Sequence, residues 1–131
     1  MKNKTFLLFI VTLLLTSYIG YSQDSSSLAT KPEKNVEFKG GLNGWASFLQ
    51  NNLDRDLLRR KDAPPGTYKV VADFLVDSIG AVSDIKIITD PGYGTADEFI
   101  RILKLSSKKW KPAFDKGKNI SMRTTHSLTF F

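Results

Sequence analysis

Apolar positions recur along this chain with two different periods, and the switches between them predict its elements. After Gly40-Gly41, Leu42, Trp45, Leu49 and Leu53 follow one another at spacings of three and four, and Phe48 widens the same face, the pattern of an amphipathic helix. A second, mostly charged helical turn from Asp54 to Arg60 is stopped at Ala63-Pro64-Pro65-Gly66, because neither proline fits a helix interior. The period then drops to two. From Thr67 to Asp77, Tyr68, Val70, Ala72, Phe74 and Val76 share one face, with Lys69, Asp73 and Asp77 on the other. Asp77-Ser78-Ile79-Gly80 supplies turn residues, and Ala81 to Thr89 returns as a second strand, with Ile85 and Ile87 inward and Asp84 and Lys86 outward.

Asp90-Pro91-Gly92 ends that hairpin. A helix is expected from Thr95, as N-cap, to Lys108, burying Ala96, Phe99, Ile100 and Leu103; Asp97 and Glu98 suit its first turn, and Lys104, Lys108 and Lys109 its last. Trp110-Lys111-Pro112 closes it, Asp115 to Lys118 turns, and Asn119 to Phe131 forms a final strand with Ile120, Met122, Leu128 and Phe130 as its apolar set. The order helix, strand, strand, helix, strand predicts an α+β domain: a three-stranded antiparallel sheet with helices on one face.

The amino-terminal region reads differently. Lys2 and Lys4 precede the apolar run Phe6–Leu15, and Gly20 and Ser22 place small residues at −3 and −1 of a cut before Gln23. Residues 1–22 are therefore expected to be a signal peptide, sending the protein to the periplasm. The alternative is an uncleaved inner-membrane anchor, but Phe6–Tyr21 spans only 16 residues, short of the roughly 20 a spanning helix needs. Residues 23–35 are polar and are expected to be a flexible leader, leaving 36–131 as the domain.

Composition narrows the chemistry. The 131 residues carry a net charge of +6, and losing Lys2 and Lys4 with the signal peptide would reduce 19 basic side chains to 17 against 13 acidic ones, a net +4. No basic stripe with interleaved aromatics accompanies that charge, which argues against nucleic acid as partner. With no cysteine and one histidine, the sequence offers no disulfide, no thiolate metal site and no cysteine nucleophile.

The remaining chemical candidates have plainer readings. His126 shares the even-numbered face with Leu128 and Phe130 and has no nucleophile or orienting acid beside it in the pattern, so it is read as structural. Asp73 and Asp77 lie about 13 Å apart along one strand, too far for paired-carboxylate chemistry. Gly92-Tyr93-Gly94 lacks the further glycine or lysine that a phosphate loop needs. Lys108-Lys109-Trp110-Lys111 suits a helix C-terminus, and Trp110 is read as sealing the core where helix meets sheet. No enzyme and no cofactor are expected.

Certain residues resemble a known family. Trp110-Lys111-Pro112-Ala113, followed after three residues by Gly117-Lys118, resembles the tryptophan–lysine–proline turn before the last strand of the TonB C-terminal domain family. Phe74-Leu75-Val76-Asp77 through Gly80-Ala81-Val82 and Ile85 is similar to its hairpin. Phe38-Lys39-Gly40-Gly41 with Trp45, Phe48 and Leu49 resembles the opening of many members, with lysine where proline is usual. The likeness covers roughly residues 36–131. The chain departs from the energy-transducing members in three respects: no histidine in the apolar run, no proline-rich spacer, and no tyrosine–proline pair after the first helix.

The resemblance implies a protein-binding module of the Gram-negative cell envelope that contacts an outer-membrane receptor, or its periplasmic segment, by strand addition. The last strand would be the binding edge, with Ser121, Arg123, Thr125, Ser127 and Thr129 outward, and the same edge could instead pair with its own copy in a homodimer. Trp110, Lys111, Pro112 and Gly117 would be the structural turn. Two further readings stay open: an anchored energy transducer, and a peptidoglycan-associated structural protein.

Overall fold

Strict alternation makes the longest strand the centre of the fold. In the computed structural model, which describes residues 31–131, β2 (Tyr68–Val76) buries Val70, Ala72, Phe74 and Val76 completely. The expected signal peptide and most of the leader lie outside the described residues. Around β2 the elements are β1 (Glu37–Phe38), α1 (Gly41–Asn52), α2 (Leu57–Arg60), β3 (Val82–Thr89), α3 (Thr95–Leu105), β4 (Trp110–Lys111), β5 (Ala113–Asp115), β6 (Lys118–Ile120) and β7 (Met122–Phe130). The main sheet is antiparallel and three-stranded, in the order β3-β2-β7. This is the α+β architecture expected from the sequence.

Side chains from α1, α3 and β4 meet the even-numbered face of β2 and β7 in one core, which includes Trp45, Phe74, Phe99, Ile102, Leu103, Trp110 and Leu128. The odd-numbered face is mostly polar, with Val71 and Leu75 as its half-buried apolar members, as suits an antiparallel sheet with one solvated side. The β2–β3 turn is held against this core. Asp77 Oδ1 accepts from the amides of Ile79 (3.0 Å) and Ala81 (2.9 Å), and Gly80 adopts φ +83°. A Cβ on Gly80 would lie 2.3 Å from the Trp110 carbonyl oxygen, so both the conformation and the approach require glycine. The Lys108 amide donates to the Gly80 carbonyl (2.8 Å), and the Val82 amide donates to Ser107 Oγ (3.0 Å).

Several local expectations are corrected. Leu42, in the first turn of α1, is 86% exposed, although its spacing from Trp45 fits the apolar stripe. Gly94, in the left-handed region, is the N-cap of α3, while Thr95 is buried and its hydroxyl donates to the Gly92 carbonyl (2.6 Å). That helix buries Ile102 where Ile100 was expected, and it ends at Leu105, before Lys108, because the chain must turn to place Trp110 in β4. Trp110-Lys111 does more than close a helix, since it pairs with β1, a two-residue strand too short to leave a period in the sequence. The last segment is not one strand: β6 pairs with β5 around Lys116-Gly117, both at positive φ as a two-residue hairpin turn favours, and Ser121 separates β6 from β7. The leader is docked at its end, where Lys34 exchanges two backbone hydrogen bonds with Phe114 (3.0 and 2.9 Å). No helix among the described residues is long and apolar enough to cross a membrane.

Candidate functional site

The nine-residue register between β2 and β7 runs without interruption from Tyr68↔Phe130 to Val76↔Met122. Among the described residues no strand pairs with the other side of β7. Which main-chain groups that side presents follows from the hairpin. The Asp77 amide donates to Ala81 O and the Gly80 amide to Asp77 O, each at 3.0 Å, so Asp77 turns its main-chain groups toward β3. Main-chain groups alternate sides along a strand, so the even residues of β2 face β7. Their partners Met122, Thr124, His126, Leu128 and Phe130 face back. Arg123, Thr125, Ser127 and Thr129 therefore direct their amides and carbonyls to the open side.

Four of the five residues expected on the edge thus share it, but their side chains stand on the polar face of the sheet and not along its rim. Ser121 falls in the break before β7 and is no part of that ladder. Arg123 is not free for a partner. Its Nε donates to Asp73 Oδ2 and its Nη1 to Asp84 Oδ2, both at 2.6 Å, and Nη2 reaches the Asp84 carbonyl at 3.0 Å. These bonds, to Asp73 first, raise the Arg123 pKa and fasten β7 to β2 and β3 across the open face. Asp73, an outward acid in the sequence, is consumed by this link and also accepts from the Thr125 hydroxyl (3.3 Å).

Behind the edge lies an aromatic cluster. Trp110 is 1% exposed; its ring centroid lies 5.2 Å from Phe38, 5.4 Å from Trp45 and 5.3 Å from Phe74, and its indole N–H donates to Ser106 Oγ at 2.9 Å. His126, half-buried, sits edge-on to Trp110 at 5.0 Å and 5.7 Å from Phe74, and burial pushes its pKa down. Of the other turn residues, Lys111 approaches Glu37 (4.0 Å), Pro112 is half-buried, and Gly117 completes the β5–β6 turn.

Elsewhere the buried Glu98 accepts from Arg101 (2.8 and 2.5 Å) and from the Asp54 amide (2.9 Å). Burial pushes its pKa up, but those bonds outweigh it and hold the carboxyl below its ordinary value. This satisfied network ties α3 to the end of α1. Among the described residues, no three His, Asp or Glu side chains converge as a metal site would need.

At the carboxyl end of β7 a cleft of about 320 Å³ opens between Leu49, Leu53, Leu58, Phe130 and Phe131, with Gln50, Asp54, Arg55 and Thr129 at its margin. Sequence reading passed over it because Leu49 and Leu53 fit a core stripe, and only the run Thr129-Phe130-Phe131 hinted at apolar surface. Compared with protein-family models and with curated proteins, the chain matches none.

Proposed function

We propose that the protein is a non-enzymatic, exported binding module of the cell envelope that captures an extended protein segment by adding it as a fourth strand beside β7. The observation that carries this reading is the unbroken β7 ladder whose odd-numbered amides and carbonyls have no strand beside them among the described residues. Such an edge gives main-chain affinity to any extended segment, and alternate side chains add selectivity. The likeness of Trp110-Lys111-Pro112 and Gly117 to the TonB C-terminal turn supports an outer-membrane receptor, or its periplasmic segment, as the partner class.

The test is a proline scan of β7 with the purified protein as bait in outer-membrane extract. Thr125→Pro removes an amide from the open side while sparing the main-chain bonds to β2, losing only the hydroxyl's bond to Asp73, so it should abolish recovery of the partner with the fold retained by circular dichroism. Ser127→Pro should act likewise. Equal recovery by wild type and by both variants would end the proposal.

A further inference from the structure

A strand laid beside β7 would pass the cleft at its carboxyl end. Thr129 lines that cleft, and its main-chain groups face the open side, so the cleft adjoins the line the added strand must follow. Side chains of an added strand alternate between the polar face and the helix layer. One that points to the helix layer beside Phe130 meets Leu49, Leu53 and Leu58, which are only partly covered by the protein's own residues. Phe131, 91% exposed, stands at the mouth. A volume of about 320 Å³ is at the low end for ligand pockets, enough for a large side chain and small for a cofactor.

The margin carries charge of one free sign. Asp54 is held by Arg60 in an ion pair, and the bond from Arg60 lowers the Asp54 pKa. Arg55 forms no ion pair among the described residues and reaches only the Gln50 carbonyl at 3.3 Å. Its guanidinium is thus available to a carboxylate beside the cleft.

We infer that this cleft is the selectivity pocket of the β7 edge, taking a bulky apolar side chain of the captured segment while Arg55 pairs with an acidic residue within two positions of it. The inference rests on the strand-capture reading, and selectivity separates the two. The probe is a phage-displayed library of random nine-residue peptides, selected on the purified protein. Enriched peptides are expected to share a leucine or phenylalanine with a nearby aspartate or glutamate, and to bind Thr125→Pro at least tenfold more weakly. Leu58→Asp, which places a charge in the cleft, should weaken them at least tenfold with unchanged melting. Arg55→Glu and Phe131→Ser alter exposed side chains only, so they keep the test valid if Leu58→Asp melts early. Selection on Arg55→Glu should replace the acidic residue by lysine or arginine. Peptides that need Thr125 but show no apolar–acidic pattern, and bind Arg55→Glu equally, would overturn the pocket and leave strand capture standing. Peptides indifferent to Thr125→Pro, or no enriched peptides at all, would overturn both. A dimer of the protein that Leu58→Asp dissolves would assign the cleft to a second copy and overturn the inference.

Discussion

The same sheet ends in two edges built in opposite ways. Along β3 the register with β2 shifts twice, between Val71 and Ala72 and between Asp73 and Leu75; Asp84 stands at φ +47°, and Ile88 is 61% exposed. Along β7 nine consecutive residues keep one register and none has positive φ. Bulges twist an edge away from regular pairing and are a common way to keep it from recruiting another strand. The blunting falls on β3, the edge farthest from β7, and the ladder without it carries polar outward side chains and borders an apolar cleft. An edge left regular by a chain that blunts the other is the stronger candidate for pairing with a partner.

Both edges lean on one residue, so removing it should have the largest effect. The Trp110 carbonyl packs on Gly80 at the β3 hairpin, and its ring packs on His126 of β7. Trp110→Ala should cost about 3–5 kcal/mol, a large share of the stability of a domain this size. Denaturant unfolding followed by circular dichroism measures it. A loss under about 1 kcal/mol would show that the two edges stand independently of the cluster.

The contrast between the edges also marks what the sequence could reveal. The β2–β3 hairpin was legible because five alternating apolar residues and Asp77-Ser78-Ile79-Gly80 act locally. The burial of Trp110 was legible from its size and its place between helix and strand. The bulges of β3 were not: Asp84 in the left-handed region leaves no mark on the alternation, since it is an outward polar residue in either case. The pairing of Arg123 left no mark for a similar reason, because its two acids lie 50 and 39 residues away and meet it only through the register. β1 escaped notice because a two-residue strand is made by its pairing with Trp110-Lys111 and not by its own propensity. The cleft was hidden because Leu49 and Leu53 complete a helical stripe whether a core or a partner covers it.

A smaller effect sharpens the comparison by uncoupling the edges. Arg123→Ala removes the only side-chain link described between β7 and the bulge of β3 at Asp84. Its side chain is 34% exposed, so solvent screening keeps the loss of stability small. Amide exchange should quicken around Asp84 on β3, and capture by β7 should keep its affinity. A tenfold loss of capture with stability unchanged would instead place Arg123 against the partner.

The smallest effect separates the two sides of β7 itself. His126 faces the aromatic cluster with its ring and β2 with its main chain, while the odd residues face outward. Its pKa is lowered in the folded protein, so folding favours the neutral ring. That contribution is fully present above the ordinary histidine value of 6.5 and is lost as pH falls below it toward the lowered folded value. Glu98 shares the sign but acts lower, since its stabilisation is complete above 4.5 and fades only as pH falls toward its lowered folded value. Between pH 7 and 5.5 the change in stability should therefore come from His126. The melting temperature should fall across that interval, and His126→Phe should flatten the slope. Capture by the folded protein should not change over the same range, because the outward amides do not titrate. A melting temperature that rises on acidification, or a slope that survives in His126→Phe, would show that the ring is not held neutral by the cluster. A loss of capture at pH 5.5 without a change in melting would show that the buried side of β7 reports to its edge, and the division between the two sides would fail.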